Sequence, residues 1–230
     1  MSHTWGLVPL NNLAQAKSRL EPVLGSDGRR ALMLAMAEDV LSALCAVAGI
    51  ERVLLVSSEP EAGTLLRDWP IEVFYCADHE GLNHELEQAV AYAASQGAER
   101  VLIVHADLPW LQPGTLQRFI ANCPSGAICA ASCKLGSGTN GLLLPLPLPL
   151  PLVFGANSLQ RFRDAAAAAG LGLRVVEDQR LSLDIDSPAD FDQLRAAQAG
   201  GLLPGAKTHR LLASMGHSAG GKVGETCNFV

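Results

Sequence analysis

What most limits the folds open to this chain is an alternation: short runs rich in apolar and β-branched residues take turns with segments of helical period. The strand candidates are residues 4–9, 52–56, 72–75, 100–105, 126–131, 142–144 and 173–176. Between them, residues 29–45 carry Leu32, Met36, Val40 and Leu44 on one helical stripe, with Ser26 or Asp27 placed to cap it. Residues 84–95, 113–122 and 157–169 also read as helical, and Pro188 suits a first-turn proline with Ser187 as its cap, in a helix running to about Ala199. Strands and helices in this order are the pattern of successive βαβ units and a mostly parallel sheet.

The run 144–152 alternates Leu and Pro, which denies backbone donors at every second position and favours an extended, polyproline-like connector across one edge of the sheet. That run also cuts the longest apolar stretch, 141–154, well short of a membrane span. The first residues, MSHTWGLVPLNN, carry neither a basic region nor a sustained apolar one, so no secretory signal is expected and the protein is expected to be cytoplasmic. From Gly200 the periodicity stops, which predicts one domain over 1–199 and a disordered tail over 200–230. With 230 residues and 49% apolar content the chain can bury a sizeable core, and a net charge of −6 without a basic run argues against nucleic acid as partner. The six cysteines form no CxxC pair and are expected to be mostly free thiols.

Chemistry concentrates in a few segments. The run RVLIV feeds into His105-Ala106-Asp107-Leu108-Pro109, which sets a carboxylate at the C-terminal edge of the sheet, where open α/β folds bind ligands. Asp107 could equally cap the turn that follows. In Leu183-Asp184-Ile185-Asp186 two carboxylates at i and i+2 share one side of an extended segment. Like charges held together call for a cation, and hard oxygen donors beside phosphates suggest Mg²⁺; the alternative leaves Asp186 in a capping arrangement with Ser187. Lys17 and Arg19 are residue types that grip phosphate oxygens, or a solvated helix face. Residues 136–141, GSGTNG, allow close backbone approach to an anion without the spacing of a P-loop, or form a hairpin tip. Gly155 to Ser158 would meet a phosphate at a helix start or supply a plain cap, and 81–83 reads as an entry turn. His105 reads as a packing residue.

In this order the segments resemble the 2-phospho-L-lactate guanylyltransferase family of coenzyme F420 biosynthesis, whose members also act on phosphoenolpyruvate or 3-phospho-D-glycerate. The matching pieces are VPL…LAQAKSRLEPVL (8–24), AMAEDVLSAL (35–44), VSS (56–58), GLN (81–83), HADLP (105–109), GSGTN (136–140), FGANS (154–158) and LDIDSPAD (183–190). The resemblance implies a Rossmann-like nucleotidyltransferase fold of the GT-A kind, with a mostly parallel mixed sheet and helices on both faces. It implies transfer of GMP from GTP to phosphoenolpyruvate or 2-phospho-L-lactate, with Mg²⁺ as cofactor. Asp107, Asp184 and Asp186 would bind the metal, and Lys17 and Arg19 the GTP phosphates. Ser57 and the segment Gly81 to Asn83 would line the nucleoside pocket, and Thr139, Gly155 and Ser158 would hold the acceptor's phosphate. No nucleic acid or membrane partner is implied, and a homodimer stays open. The chain departs from the family pattern at Asn11, where a lysine is usual, and at Glu85, where a small residue is usual. Rival readings are a nucleotidyltransferase using CTP or UTP, a metal-dependent glycosyltransferase, and a non-catalytic nucleotide-sensing protein.

Overall fold

The computed structural model describes residues 3–11, 13, 15–76 and 80–218, the side chains of 216–218 excepted. Its strands are β1 (Thr4–Pro9), β2 (Ile50–Ser57), β3 (Glu72–Tyr75), β4 (Arg100–Val104), β5 (Ile128–Ser132), β6 (Thr139–Pro145) and β7 (Leu173–Val175). They form one sheet in the order β3-β2-β1-β4-β6-β5-β7, parallel except for β6, which runs against both its neighbours. The sheet is mostly parallel, as the alternation predicts, and mixed, as the resemblance implies.

Period two along the strands sorts their side chains into two cores. Val8, Leu55, Leu102, Val104 and Leu143 face one side, where α1 (Glu21–Cys45) and α4 (Pro113–Ala121) cover them. Leu7, Leu54, Val101, Ile103 and Leu144 face the other, under α3 (Leu82–Ser95) and α5 (Ser158–Ala168). Strands apolar on both faces are what a sheet covered on both sides requires. The remaining helices are α2 (Ala62–Leu65), α6 (Gln179–Ser182), α7 (Pro188–Ala199) and α8 (Ala206–Ser218). At α7 the Ser187 hydroxyl accepts from the Asp190 backbone N–H while the Asp190 carboxylate accepts from Ser187, a reciprocal cap.

Four expectations need correction. First, α1 starts at Glu21, with a backbone break at Gly25 (φ 63°), so Ser26 and Asp27 sit in the first turn beyond the break and neither caps. Second, the Leu-Pro run lies over a face of the sheet. Leu150 and Leu152 are buried with α3 and α5, Leu146 donates its N–H to the Glu99 carbonyl at 2.8 Å, and Leu152 donates to the Glu87 carboxylate at 3.1 Å. Between prolines only the leucines keep donors, and those of Leu146 and Leu152 find partners. Third, Cys123 and Cys129 form a disulfide that ties the end of α4 to β5, while Cys45, Cys76 and Cys133 are free; Cys227 lies outside the described residues.

Fourth, the segment after Gly200 is ordered as far as it is described. Helix α8 packs on α1, and the buried Asp39 of α1 accepts the backbone N–H groups of Lys207 and Thr208, both at 2.9 Å. A carboxylate from another helix thus caps the N-terminus of α8, satisfying orphan donors and complementing the helix dipole. Gly205 lies so close that a Cβ there would stand 2.2 Å from the Asp39 carboxyl carbon, which leaves room for glycine alone. Residues 219–230 of the expected tail lie outside the described residues. Among the described residues no helix is long and apolar enough to cross a membrane.

Candidate active site

The chain runs outward from β1 to β2 and β3, then returns to lay β4 on the opposite side of β1. Such a reversal opens a crevice beyond the C-terminal strand ends, the usual ligand position in open α/β sheets. Lys17 arrives there from the loop after β1 and Asp107 from the turn after β4. Lys17 holds a left-handed backbone conformation (φ 56°), which is uncommon for a side-chain-bearing residue and turns the chain into the 3₁₀ turn Ser18–Leu20. Its ammonium is bonded to both Asp107 and Asp186. The loop is braced from below by Arg29, whose guanidinium donates to the Ala16 carbonyl at 2.6 Å.

The electrostatics follow from burial and proximity. Burial alone would lower the Lys17 ammonium, but the carboxylates of Asp107 and Asp186 outweigh it and hold the ammonium above its usual range. Burial would raise Asp107, yet Lys17 and then His105 keep its carboxyl below the usual range. Asp184 is pushed up to about 6 by burial and by the charge of Asp107, against a stabilising hydrogen bond from the Asn140 amide at 3.1 Å. The pKa of His105, which is buried and packed on Phe154 with ring centres 5.3 Å apart, is lowered, chiefly by burial.

Two chambers meet at His105, Asp107, Asp186 and Leu82. The first, of about 680 Å³, opens over the ends of β1 and β2 and is lined by Leu10, Asn11, Lys17, Ser58, Gly81 and Glu85 among others. The second, of about 610 Å³, lies under the glycine-rich loop and is lined by Arg19, Thr139, Gly155, Ser158, Asp184 and Asp190 among others. Gly155 has φ 122°, a conformation that disfavours any side chain and lets the 155–158 turn double back to the loop. Ser158, nearly fully buried, donates its hydroxyl to Thr139 at 3.1 Å, so neither it nor Asn157 is a plain side-chain cap.

Of the residues singled out in the sequence, Lys17, Asp107, Asp184 and Asp186 converge where the chambers join. Arg19, Thr139, Gly155 and Ser158 line the second chamber, and Gly81 the first. Two stand elsewhere. Ser57 is fully buried, donates to the Leu10 carbonyl at 2.6 Å and accepts from the Glu59 backbone, so its neighbour Ser58 takes the lining position. Asn83 pairs its amide with both backbone groups of Phe154, at 2.7 and 3.1 Å, which ties α3 to the strand of chain entering the 155–158 turn. Missed in the sequence were Asn140 as the partner of Asp184, and the ion pair of Lys134 with Asp190 at the second chamber. Asn11 and Glu85, the two departures from the family pattern, prove to be hydrogen-bonded to each other. Nothing in spacing announces these contacts, because each partner sits on a different element.

Among the described residues no three His, Cys, Asp or Glu side chains stand in a metal-binding cluster, and the Lys17 ammonium bridges two of the three aspartates. The donors themselves suit a hard divalent cation: all are carboxylate oxygens, and Asp107 Oδ1 is buried without a hydrogen-bond partner.

Residues 4–216 match the family described as Guanylyl transferase CofC like. A phosphoenolpyruvate guanylyltransferase from Sphaerobacter thermophilus is 37% identical over 83% of this chain and 92% of its own length. A 2-phospho-L-lactate guanylyltransferase from Halorubrum lacusprofundi is 33% identical over 82% of each chain. In fold, the chain resembles a structure from Desulfovibrio desulfuricans G20, provisionally a nucleotide-diphospho-sugar transferase, with TM-score 0.76 and 18% identity over 94% of this chain and 96% of that one. A family match over nearly the whole described chain, with the carboxylates and basic residues gathered at the switch point, leads to one assignment: the chain belongs to the CofC-like guanylyl transferase family and is a nucleotidyltransferase.

Proposed function

We propose that the protein transfers GMP from GTP to phosphoenolpyruvate, releasing pyrophosphate, as a step of coenzyme F420 biosynthesis in the cytoplasm. The observation that carries this reading is the pair of chambers joined at Asp107 and Asp186, the two carboxylates that the Lys17 ammonium bridges. One chamber takes the nucleotide and the other the phospho-acid, so that the two phosphates meet at the shared wall. In the reaction a phosphate oxygen of the acid attacks the α-phosphorus of GTP in line. A new phosphoanhydride bond forms as the bond to the β-phosphate oxygen breaks, and pyrophosphate leaves. The attacking oxygen is already ionised near pH 7, so no general base is needed. The work of the chain is positioning and charge compensation.

Asp107, Asp184 and Asp186 are the residues that would hold Mg²⁺, which when bound neutralises charge on the triphosphate. Lys17 would grip phosphate oxygens as a point charge, and Arg19 would do so from the second chamber as a fork. Thr139, Gly155 and Ser158 orient the phosphate of the acid, and Gly81 borders the nucleoside. All these residues come from one chain, so monomer and homodimer serve alike. A net charge of −6 fits small anionic substrates gripped locally and no nucleic-acid partner.

The relatives favour phosphoenolpyruvate as acceptor, and the 33% identical relative from Halorubrum lacusprofundi supports 2-phospho-L-lactate as the second reading. Pyrophosphate release from the purified protein with Mg²⁺ tests both. GTP is offered with phosphoenolpyruvate, 2-phospho-L-lactate or 3-phospho-D-glycerate, and CTP, UTP and ATP serve as nucleotide controls. Release with GTP and phosphoenolpyruvate is the expected result. Release only with CTP or UTP, or with no pair at all, would overturn the reading.

A further inference from the structure

The first chamber carries an acid that the reaction as written does not use. Glu85 stands in the first turn of α3, is 4% exposed, and accepts a hydrogen bond from the Asn11 side-chain amide. The orientation of Asn11 is fixed from its other side. Its Oδ1 accepts the Ser58 backbone N–H at 2.7 Å and the Ser58 hydroxyl at 3.2 Å, which leaves Nδ2 turned toward Glu85. The ends of β1 and β2 and the start of α3 thus converge on one carboxylate in the chamber wall. Of the other acids in that wall, Asp107 and Asp186 are paired with Lys17, and Glu59 accepts the Leu13 backbone N–H at 3.1 Å. Among the described residues Glu85 forms no ion pair, and its one side-chain partner is a neutral amide.

A buried carboxylate with so little compensation is costly unless a ligand supplies donors. Beside a triphosphate it would repel; beside a pair of N–H groups it would attract. Of the common nucleobases only guanine presents two adjacent donors on one edge, N1–H and the 2-amino group. Adenine and cytosine set an acceptor beside their amino group, and uracil flanks its single N–H with carbonyls. We propose that Glu85, held in place by Asn11, reads the N1–H and 2-amino edge of guanine and so sets the nucleotide specificity of the enzyme. The inference rests on the first chamber being the GTP chamber.

The test is equilibrium binding to the full chain with Mg²⁺ and no acceptor, comparing GTP with inosine, xanthosine and 2′-deoxyguanosine triphosphates. Inosine lacks the 2-amino group, and xanthosine replaces it with a carbonyl. Wild type is expected to favour GTP over the inosine nucleotide by roughly 10-fold or more, the scale of a hydrogen bond to a charged group, and over the xanthosine nucleotide by more. Glu85→Gln turns one acceptor into a donor that matches the xanthine carbonyl, so the preference should shift toward xanthosine triphosphate. A wild-type GTP-to-xanthosine ratio retained in Glu85→Gln would overturn the inference. So would a larger loss for 2′-deoxy-GTP than for the inosine nucleotide, which would place the carboxylate on the ribose. If the variant does not fold, the inosine comparison on wild type decides, and equal affinity for the two overturns the inference. Selective GTP binding of this kind without pyrophosphate release would sink the proposed reaction and leave the role of Glu85 standing.

Discussion

At the scale of single residues, the site is a balance of charges set by a few atoms. The Lys17 ammonium neutralises Asp107 and Asp186 together, while Asp184 has only the Asn140 amide against burial and repulsion. Asp107→Asn removes the carboxylate on which both chambers converge, and the rate of pyrophosphate release should fall about 10²–10³-fold, the scale seen when one preorganised charge-stabilising group is lost. Lys17 keeps Asp186 as a partner, so the variant should keep its fold. Circular dichroism and a steady-state rate on the same sample check both halves; a near-normal rate with intact structure would remove Asp107 from the mechanism. The carboxylates were legible in the sequence because each follows an unmistakable strand or sits in an i, i+2 pair. Ser57 was misread for a related reason. Neighbouring side chains at a strand end face different surroundings, so a one-residue difference decides whether Ser57 or Ser58 meets the chamber.

At the scale of elements, the strands and α7 could be read locally, through runs, periodicity and the Ser187 cap. Helix α8 could not. Glycines lead into it, and the group that organises its N-terminus, Asp39, lies 168 and 169 positions earlier in the chain. Local pattern holds no trace of such a partner. Asp39→Ala leaves the Lys207 and Thr208 N–H groups without their acceptor, and should cost about 1–3 kcal/mol, the penalty for an unsatisfied buried group. The pH dependence carries a sign. Burial raises the Asp39 pKa in the folded protein against the hydrogen bonds that lower it. Between the unfolded and folded pKa values the folded chain therefore binds more protons, and the stability that Asp39 contributes falls as pH rises through that window. Denaturant unfolding of wild type and Asp39→Ala from pH 4 to 7 should show the largest difference at the acid end. A difference that grows steadily toward pH 7 would mean that the ionised carboxylate is the better cap.

At the scale of the whole molecule, the switch-point cleft of a chain with net charge −6 has to accept two anionic substrates beside three aspartates. In the free protein Lys17 already compensates two of those acids, so a cation alone competes with ion pairs of which the one to Asp107 is largely shielded from water. A nucleotide changes that competition. If Asp107 and Asp186 hold a divalent cation as proposed, the phosphates would offer Lys17 a new partner and supply oxygen ligands that the cation alone lacks. The two ligands should then bind with positive coupling, each strengthening the other by the same factor. Mg²⁺ alone should raise the melting temperature only slightly, and GTP with a chelator should also do little. Together, at about a hundredfold above the dissociation constant, they should stabilise the fold by about 2.7 kcal/mol. Thermal unfolding under the four combinations of Mg²⁺ and GTP measures the coupling. Additive shifts would mean that cation and nucleotide bind independently, and Lys17 would then stay paired with its aspartates when the nucleotide binds.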